Sequence, residues 1–161
     1  LYEYQKQRII TLFNPEAEIY GAGWNIAQSQ IAIGSGGFFG KGYLNGSQSQ
    51  LNFIPESHSD FIFAVISEEF GLIGVLILFL VYGFLIFRLL LIAMNNKSRF
   101  AKILAGTLST ILIAYISINI CMVVGLLPVV GMPLPFVSQG GTALIINLVT
   151  IGIILSLRRE T

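Results

Sequence analysis

The sequence predicts an all-α membrane protein, in which three transmembrane helices follow a large extracellular, glycine-rich loop. Of its 161 residues, 55% are hydrophobic and only 11% are charged, whereas soluble domains carry about 25% charged residues. Two long runs, residues 70–87 and 103–157, contain no charged side chain, and prolines and glycines interrupt the longer run. These features exclude a water-soluble globule, a disordered tail, an acidic interaction module and a nucleic-acid-binding protein.

Residues 1–60 are polar and irregular, and we expect them to form the extracellular loop of a chain that is the C-terminal part of a longer protein. Within this loop, residues 26–43 are rich in glycine. Two interpretations stay open: a backbone that closely approaches a ligand, or a re-entrant or interfacial stretch whose glycines only serve turns. Dinucleotide and Walker motifs are missing from the sequence, and its single histidine excludes a histidine-rich metal site.

The first transmembrane helix is predicted over residues 61–94, beginning with an interfacial stretch. A span needs about 20 mostly apolar residues, and residues 70–94 supply them with Arg88 as the one charged interruption. Arg88 is placed near the inner end, where its long side chain can reach the headgroups. A short loop, residues 95–102, follows.

The second uncharged run is about twice as long as a single span requires. Proline removes a backbone donor and clashes with the preceding helical turn, so Pro128, Pro133 and Pro135 divide the run. The resulting segments are a helix over 103–126, an extracellular proline-rich loop over 127–139, a helix over 140–157 and a tail over 158–161.

The basic residues predict the orientation of the three spans. They cluster in the loop between the first two spans and after the third: Arg88, Lys97, Arg99, Lys102, Arg158 and Arg159. The positive-inside rule places these two groups in the cytoplasm. The first 60 residues and the proline-rich loop then face the outside.

Glu56, His58 and Asp60 lie within five residues of one another, just before the first span. A carboxylate there can serve as a general base. From the residues alone, however, a helix N-cap is favoured for Asp60, in a capping box with Ser57, and an exposed loop position is favoured for His58.

Other polar residues have simple structural explanations as well as functional ones. Glu68 and Glu69 are expected either to lie at the depth of the lipid headgroups or to pair with a basic side chain. Lys41 and Arg8 are expected either to be solvated charges at the surface or to contact an anionic headgroup or pyrophosphate. Asn119 fits an interhelical hydrogen bond.

Three ordered segments resemble the RodA/FtsW/SpoVE family, also called SEDS proteins, and within it most closely the RodA branch. They are YQKQRI at 4–9, GAGWNIAQSQIAIGSGGFFGKGYLNGSQSQLNFIPESHSDFIFAVISEEFG at 21–71 and GLLPVVGMPLPFVSQGG at 125–141. The resemblance covers nearly the whole chain. It implies the C-terminal portion of a fold with about ten transmembrane spans.

The resemblance implies a multi-pass enzyme of the bacterial inner membrane that polymerises lipid II into glycan strands and works with a class B penicillin-binding protein. It assigns the essential aspartate of the family to Asp60. The positions that it marks for substrate binding are Arg8, Lys41, Gln48, Glu56 and Ser138. In one departure, Gln139 replaces the tyrosine that the family usually carries there, which removes an aromatic ring from the expected cavity wall.

The implied mechanism is inverting glycosyl transfer, in which Asp60 removes the proton of the acceptor hydroxyl. Lys41 or Arg8 would stabilise the departing lipid pyrophosphate. No cofactor is certain from the sequence, and a divalent cation, Mg²⁺ or Mn²⁺, stays open. A lipid II flippase and a non-catalytic scaffold for the penicillin-binding protein are the alternatives. We expect the isolated chain to be inactive and to have no nucleic-acid partner.

Overall fold

The computed structural model describes residues 22–47 and 59–157, and these residues form an all-helical fold. Helix α1 spans Ala22–Gly36, α2 spans Ile62–Asn95, α3 spans Arg99–Val124 and α4 spans Gly141–Leu157. The helices α2 and α3 are long and apolar enough to cross a membrane, whereas α4 is a shorter apolar helix. The all-α class is thus confirmed for the described residues.

Helix α1 lies in the segment that the sequence analysis assigns to an irregular loop. It packs against α2 and α3. Ser29 Oγ donates a hydrogen bond to the carbonyl of Val123 at 2.8 Å, and Gln30 Nε2 donates to the carbonyl of Val124 at 2.9 Å. The last carbonyls of a helix have no partner within it, so α1 completes the end of α3. Residues 22–36 are thus helical where an irregular conformation was expected, and their extracellular location stays a prediction.

Helix α2 consists of two helical segments that meet at a sharp bend. At the bend, Gly71 has a φ of 63° and a ψ of −159°, which glycine adopts without the clash of a Cβ. The rings of Phe63 and Phe79 stack with centroids 6.1 Å apart. In a straight helix these two positions would be about 24 Å apart along the axis. Residues 62–70 therefore fold back along the first half of residues 72–95.

The loop that follows α1 supplies the hydrogen bonds that the bend in α2 interrupts. Four backbone bonds join them: Lys41 N to Glu68 O at 3.0 Å, Gly42 N to Glu69 O at 3.0 Å, Leu72 N to Gly37 O at 2.9 Å and Ile73 N to Phe38 O at 3.3 Å. A Cβ on Gly40 or Gly71 would overlap backbone atoms of the opposite segment. These two glycines therefore serve close contact between backbones.

Helices α3 and α4 are aligned at one end and differ in length. Asn96 Nδ2, just before α3, donates to the carbonyl of Leu157 at the end of α4, at 2.9 Å. Because α3 has 26 residues and α4 has 17, α4 begins about 13 Å short of the other end of α3. The segment between them, residues 125–140, descends into this gap. We call it the re-entrant segment, and it corresponds to the predicted proline-rich loop.

Candidate active site

Asp60 lies in the turn that precedes α2 and faces the re-entrant segment. Its side chain is half-buried, and a Cβ built on Gly131 would lie 3.4 Å from its Oδ2. The carboxylate thus sits close to the Gly131 backbone. The N-cap of α2 is Phe61, so the capping interpretation is wrong for Asp60, because the helix begins one residue too late for it.

The folded-back segment changes the expected position of Asp60. From the sequence, Asp60 was expected above the outer end of the first span. In the structure, residues 62–70 run back from Gly71, and Phe63 stacks on Phe79. Asp60 therefore lies beside the long segment of α2, below the bend.

Asn119 joins the backbone of Asp60 to the re-entrant segment. Its Nδ2 donates one hydrogen bond to the carbonyl of Asp60 at 2.9 Å and another to the carbonyl of Met132 at 2.6 Å. Asn119 is completely buried. The interhelical hydrogen bond expected for Asn119 is not what these distances show, because both acceptors lie outside helices.

Ser138 binds the peptide group that joins Ser59 to Asp60. Its Oγ donates to the carbonyl of Ser59 at 2.6 Å and accepts a hydrogen bond from the backbone N–H of Leu134 at 2.7 Å. The structure thus brings two of the predicted site residues, Asp60 and Ser138, together. It gives Ser138 a structural contact with the protein backbone, and substrate binding by this hydroxyl stays a prediction.

Tyr82 is a further polar contact of the site that sequence reasoning missed. Its hydroxyl donates to the carbonyl of Pro135 at 2.6 Å and is buried. Irregular backbone at membrane depth is stable only where its polar groups find partners inside the protein. Tyr82 carries the only side-chain hydroxyl in residues 70–87, and that isolation in an apolar run was the available signal.

Lys41 belongs to a second polar group, centred on Glu68. Its Nζ lies 2.7 Å from Glu68 Oε1 and donates to Ser47 Oγ at 2.8 Å. The side chain of Glu68 is completely buried, whereas that of Lys41 is 30% exposed. The predicted pair between Glu68 and a basic residue is confirmed. Because an ammonium has three N–H donors, Lys41 has one beyond these two contacts among the residues that the structure describes.

The two polar groups lie at opposite ends of the folded-back helix. Asp60 precedes that helix and Glu68 is near its end, a separation of about 12 Å along the axis. Three predicted substrate-binding residues, Arg8, Gln48 and Glu56, lie outside the described residues, as do Ser57 and His58. Within residues 22–47 and 59–157, no group of three potential metal ligands occurs.

A cavity of about 360 Å³ lies between α3, α4 and the re-entrant segment. Pro133 and Tyr115 are on its wall, together with the polar side chains of Thr142, Asn147 and Thr150. Asp60 is not part of this wall. The arrangement around Asp60 is instead a half-buried carboxylate next to backbone carbonyls that two side chains, Asn119 and Ser138, bind.

Comparison with known proteins links the chain to cell-wall enzymes. The FtsW/RodA/SpoVE family model, described as "Cell cycle protein", matches residues 1–161. The peptidoglycan glycosyltransferase MrdB of Escherichia coli is 54% identical over 98% of this chain and 42% of its own length. The peptidoglycan glycosyltransferase RodA of Treponema pallidum is 38% identical over 96% of this chain and 36% of its own length.

Solved structures with a similar fold come from the same group of proteins. One was reported as "Structural coordination of polymerization and crosslinking by a peptidoglycan synthase complex", with a TM-score of 0.81, 29% identity, and coverage of 99% of this chain and 43% of that one. Another is an aspartate-to-alanine mutant of RodA, the rod shape determining protein of Thermus thermophilus. Its TM-score is 0.64 at 31% identity, with coverage of 84% of this chain and 40% of that one. The chain spans less than half the length of these relatives.

Proposed function

The chain belongs to the FtsW/RodA/SpoVE family, and from this membership we propose that it forms part of a peptidoglycan glycosyltransferase that polymerises lipid II into glycan strands. The names of the relatives support this activity, since MrdB and RodA are both called peptidoglycan glycosyltransferases. The observation that carries the proposal is the Asp60 carboxylate, half-buried beside Gly131 with its backbone held by Asn119.

Asp60 acts as the general base in the proposed reaction. Its carboxylate takes the proton from a sugar hydroxyl of the acceptor lipid II, and the hydroxyl oxygen attacks the anomeric carbon of the donor. A new C–O bond forms as the bond to the lipid pyrophosphate breaks, and the pyrophosphate leaves with the bonding electrons. Attack from the face opposite the leaving group inverts the configuration.

Lys41 is proposed to stabilise the leaving pyrophosphate. Its ammonium is partly exposed and, within residues 22–47 and 59–157, has one N–H donor beyond its contacts with Glu68 and Ser47. A positive charge aimed at developing negative charge lowers the barrier of such a reaction. Arg8, Gln48 and Glu56 are proposed as further substrate contacts. A divalent cation, Mg²⁺ or Mn²⁺, is a further candidate for neutralising the pyrophosphate.

The membrane arrangement is proposed from the charges and the apolar helices. Residues 72–95, α3 and α4 would cross the bacterial inner membrane, with Lys97, Arg99 and Lys102 on the cytoplasmic side. Asp60 and Lys41 then lie toward the outer leaflet. A class B penicillin-binding protein is the proposed partner, in line with the peptidoglycan synthase complex among the structural relatives.

The decisive experiment measures glycan strands made from purified lipid II by the intact protein, with and without the transpeptidase partner. We expect Asp60→Ala and Asp60→Asn to abolish strand formation at unchanged membrane abundance. Ser117→Ala, at an exposed position of α3, is the control and keeps wild-type activity. Lipid II transport across vesicles without glycan product would favour the flippase, and neither activity would favour the scaffold.

A further inference from the structure

Asn119 occupies the centre of the contact between α3, the start of α2 and the re-entrant segment. Its side chain is completely buried. Both of its N–H groups are used, one on the carbonyl of Asp60 and one on the carbonyl of Met132. One small amide therefore joins the residue proposed as the base to a segment more than seventy positions away in the sequence.

The orientation of this amide follows from its partners. Both neighbours within hydrogen-bond distance are carbonyl oxygens, which only accept, so the nitrogen must face them. The opposite atom, Oδ1, is buried and has no hydrogen-bond partner among the residues that the structure describes. An unpaired buried acceptor is unfavourable. Asn119 therefore suits this position because of its two donors, whereas an apolar side chain would leave the carbonyls of Asp60 and Met132 without them.

We infer that Asn119 is a positioning residue for Asp60: it fixes the backbone of Asp60 relative to the re-entrant segment and thereby the reach of the carboxylate. This role rests on the proposed function of Asp60 as the base. Asn119 does not touch the substrate in this scheme. Because a general base must lie within hydrogen-bond reach of the proton that it removes, a small displacement of the Asp60 backbone lowers the rate of the chemical step and leaves substrate binding unchanged.

The test compares Asn119→Leu, Asn119→Asp and Asn119→Gln in the intact protein, using purified lipid II and measuring kcat and KM separately. Leu has the same branching at Cγ and removes both N–H donors, and Asp offers at most one O–H donor, which cannot join both carbonyls. For both variants we expect kcat to fall about 100-fold with KM within about twofold of wild type. Gln restores an amide and is expected to recover at least a tenth of the wild-type kcat. Ser117→Leu, on the exposed side of the same helical turn, is the matched control.

Thermal unfolding in detergent shows whether each variant is folded. If the Asn119→Leu variant does not fold, the Asp and Gln variants provide the comparison, because both keep a polar group at this position. A wild-type kcat in a folded Asn119→Asp variant would overturn the positioning role, and so would a loss confined to KM. Asp60→Ala is assayed in parallel. If it retains polymerisation, the proposed base is wrong, whereas an inactive Asp60→Ala beside a normal Asn119→Asp rejects only the inference about Asn119.

Discussion

At the scale of single residues, several buried or half-buried polar side chains bind backbone carbonyls. Asn119, Ser138 and Tyr82 do so around Asp60, and Ser29 does so at the end of α3. Inside a bilayer no water can take over such contacts, so each unpaired carbonyl would be expensive. These side chains make an irregular backbone near the site compatible with an apolar environment.

Replacing Tyr82 by Phe tests one of these contacts. Tyr82→Phe leaves the carbonyl of Pro135 without its buried partner, and we expect a loss of about 1–3 kcal/mol in the free energy of unfolding. Thermal unfolding in detergent measures the effect. Tyr115→Phe is the control, since Tyr115 is 41% exposed, and it should unfold as the wild type does. Equal stability of the two variants would contradict the structural role of Tyr82.

The Lys41–Glu68 pair gives a second test at this scale. Lys41→Met removes the cation that lies 2.7 Å from the completely buried carboxylate of Glu68, and we expect a loss of stability of up to about 3–5 kcal/mol. The double variant Lys41→Met with Glu68→Gln removes both charges and should recover much of that stability. Chemical denaturation of the wild type, Lys41→Met and the double variant provides the comparison, with Lys97→Met at an exposed position as the control. A double variant that is no more stable than Lys41→Met would argue against the pair.

At the scale of the elements, the bend in α2 explains why the glycine-rich loop has its sequence. The bend separates four backbone groups from their helical partners, and residues 37–42 provide new ones. A Cβ on Gly40 or Gly71 would overlap backbone atoms of the opposite segment, which accounts for glycine at these two positions. The same bend turns residues 62–70 back, so that Asp60 meets the re-entrant segment.

Gly71→Ala is therefore expected to prevent correct folding or to reduce membrane abundance strongly. Gly71 has a positive φ, and an added Cβ would overlap the backbone of Gly40, so strain and a steric clash act together. Gly83→Ala is the matched control. Gly83 is an exposed position of the same helix with open space around it, and alanine there should stabilise by about 0.5–1 kcal/mol. Expression level and thermal unfolding distinguish the two variants.

At the scale of the whole molecule, residues 62–70 and the re-entrant segment approach each other between the longer helices. The folded-back part of α2 and the segment between α3 and α4 enter from the same end of the molecule. Ser138 and Asn119 join them at Ser59 and Asp60. The site is thus assembled from segments that are distant in the sequence and is enclosed on one side by α3.

Cross-linking tests this arrangement in the intact protein. In a Cys121→Ser background, Phe63→Cys with Phe79→Cys places two thiols where the aromatic rings stack, and we expect rapid cross-linking by a short bifunctional thiol reagent. Phe63→Cys with Phe87→Cys is the control, because Phe87 lies about 12 Å further along the helix. Equal, slow reaction of both pairs would indicate a straight α2. After protease cleavage between the two cysteines, gel electrophoresis shows whether the fragments are still joined by the cross-link.

The sequence by itself determined the all-helical class. The helices predicted over 103–126 and 140–157 overlap α3 and α4. Apolar length and proline position are local properties, and a helix satisfies its own backbone. Asp60 could be singled out by its resemblance to a known motif. Its backbone partners Asn119 and Ser138, the bend that brings it back along α2 and the pairing of Lys41 with Glu68 were decided only by the tertiary structure. These contacts join residues far apart in the chain, and no local pattern encodes which distant carbonyl or carboxylate a buried polar side chain will meet.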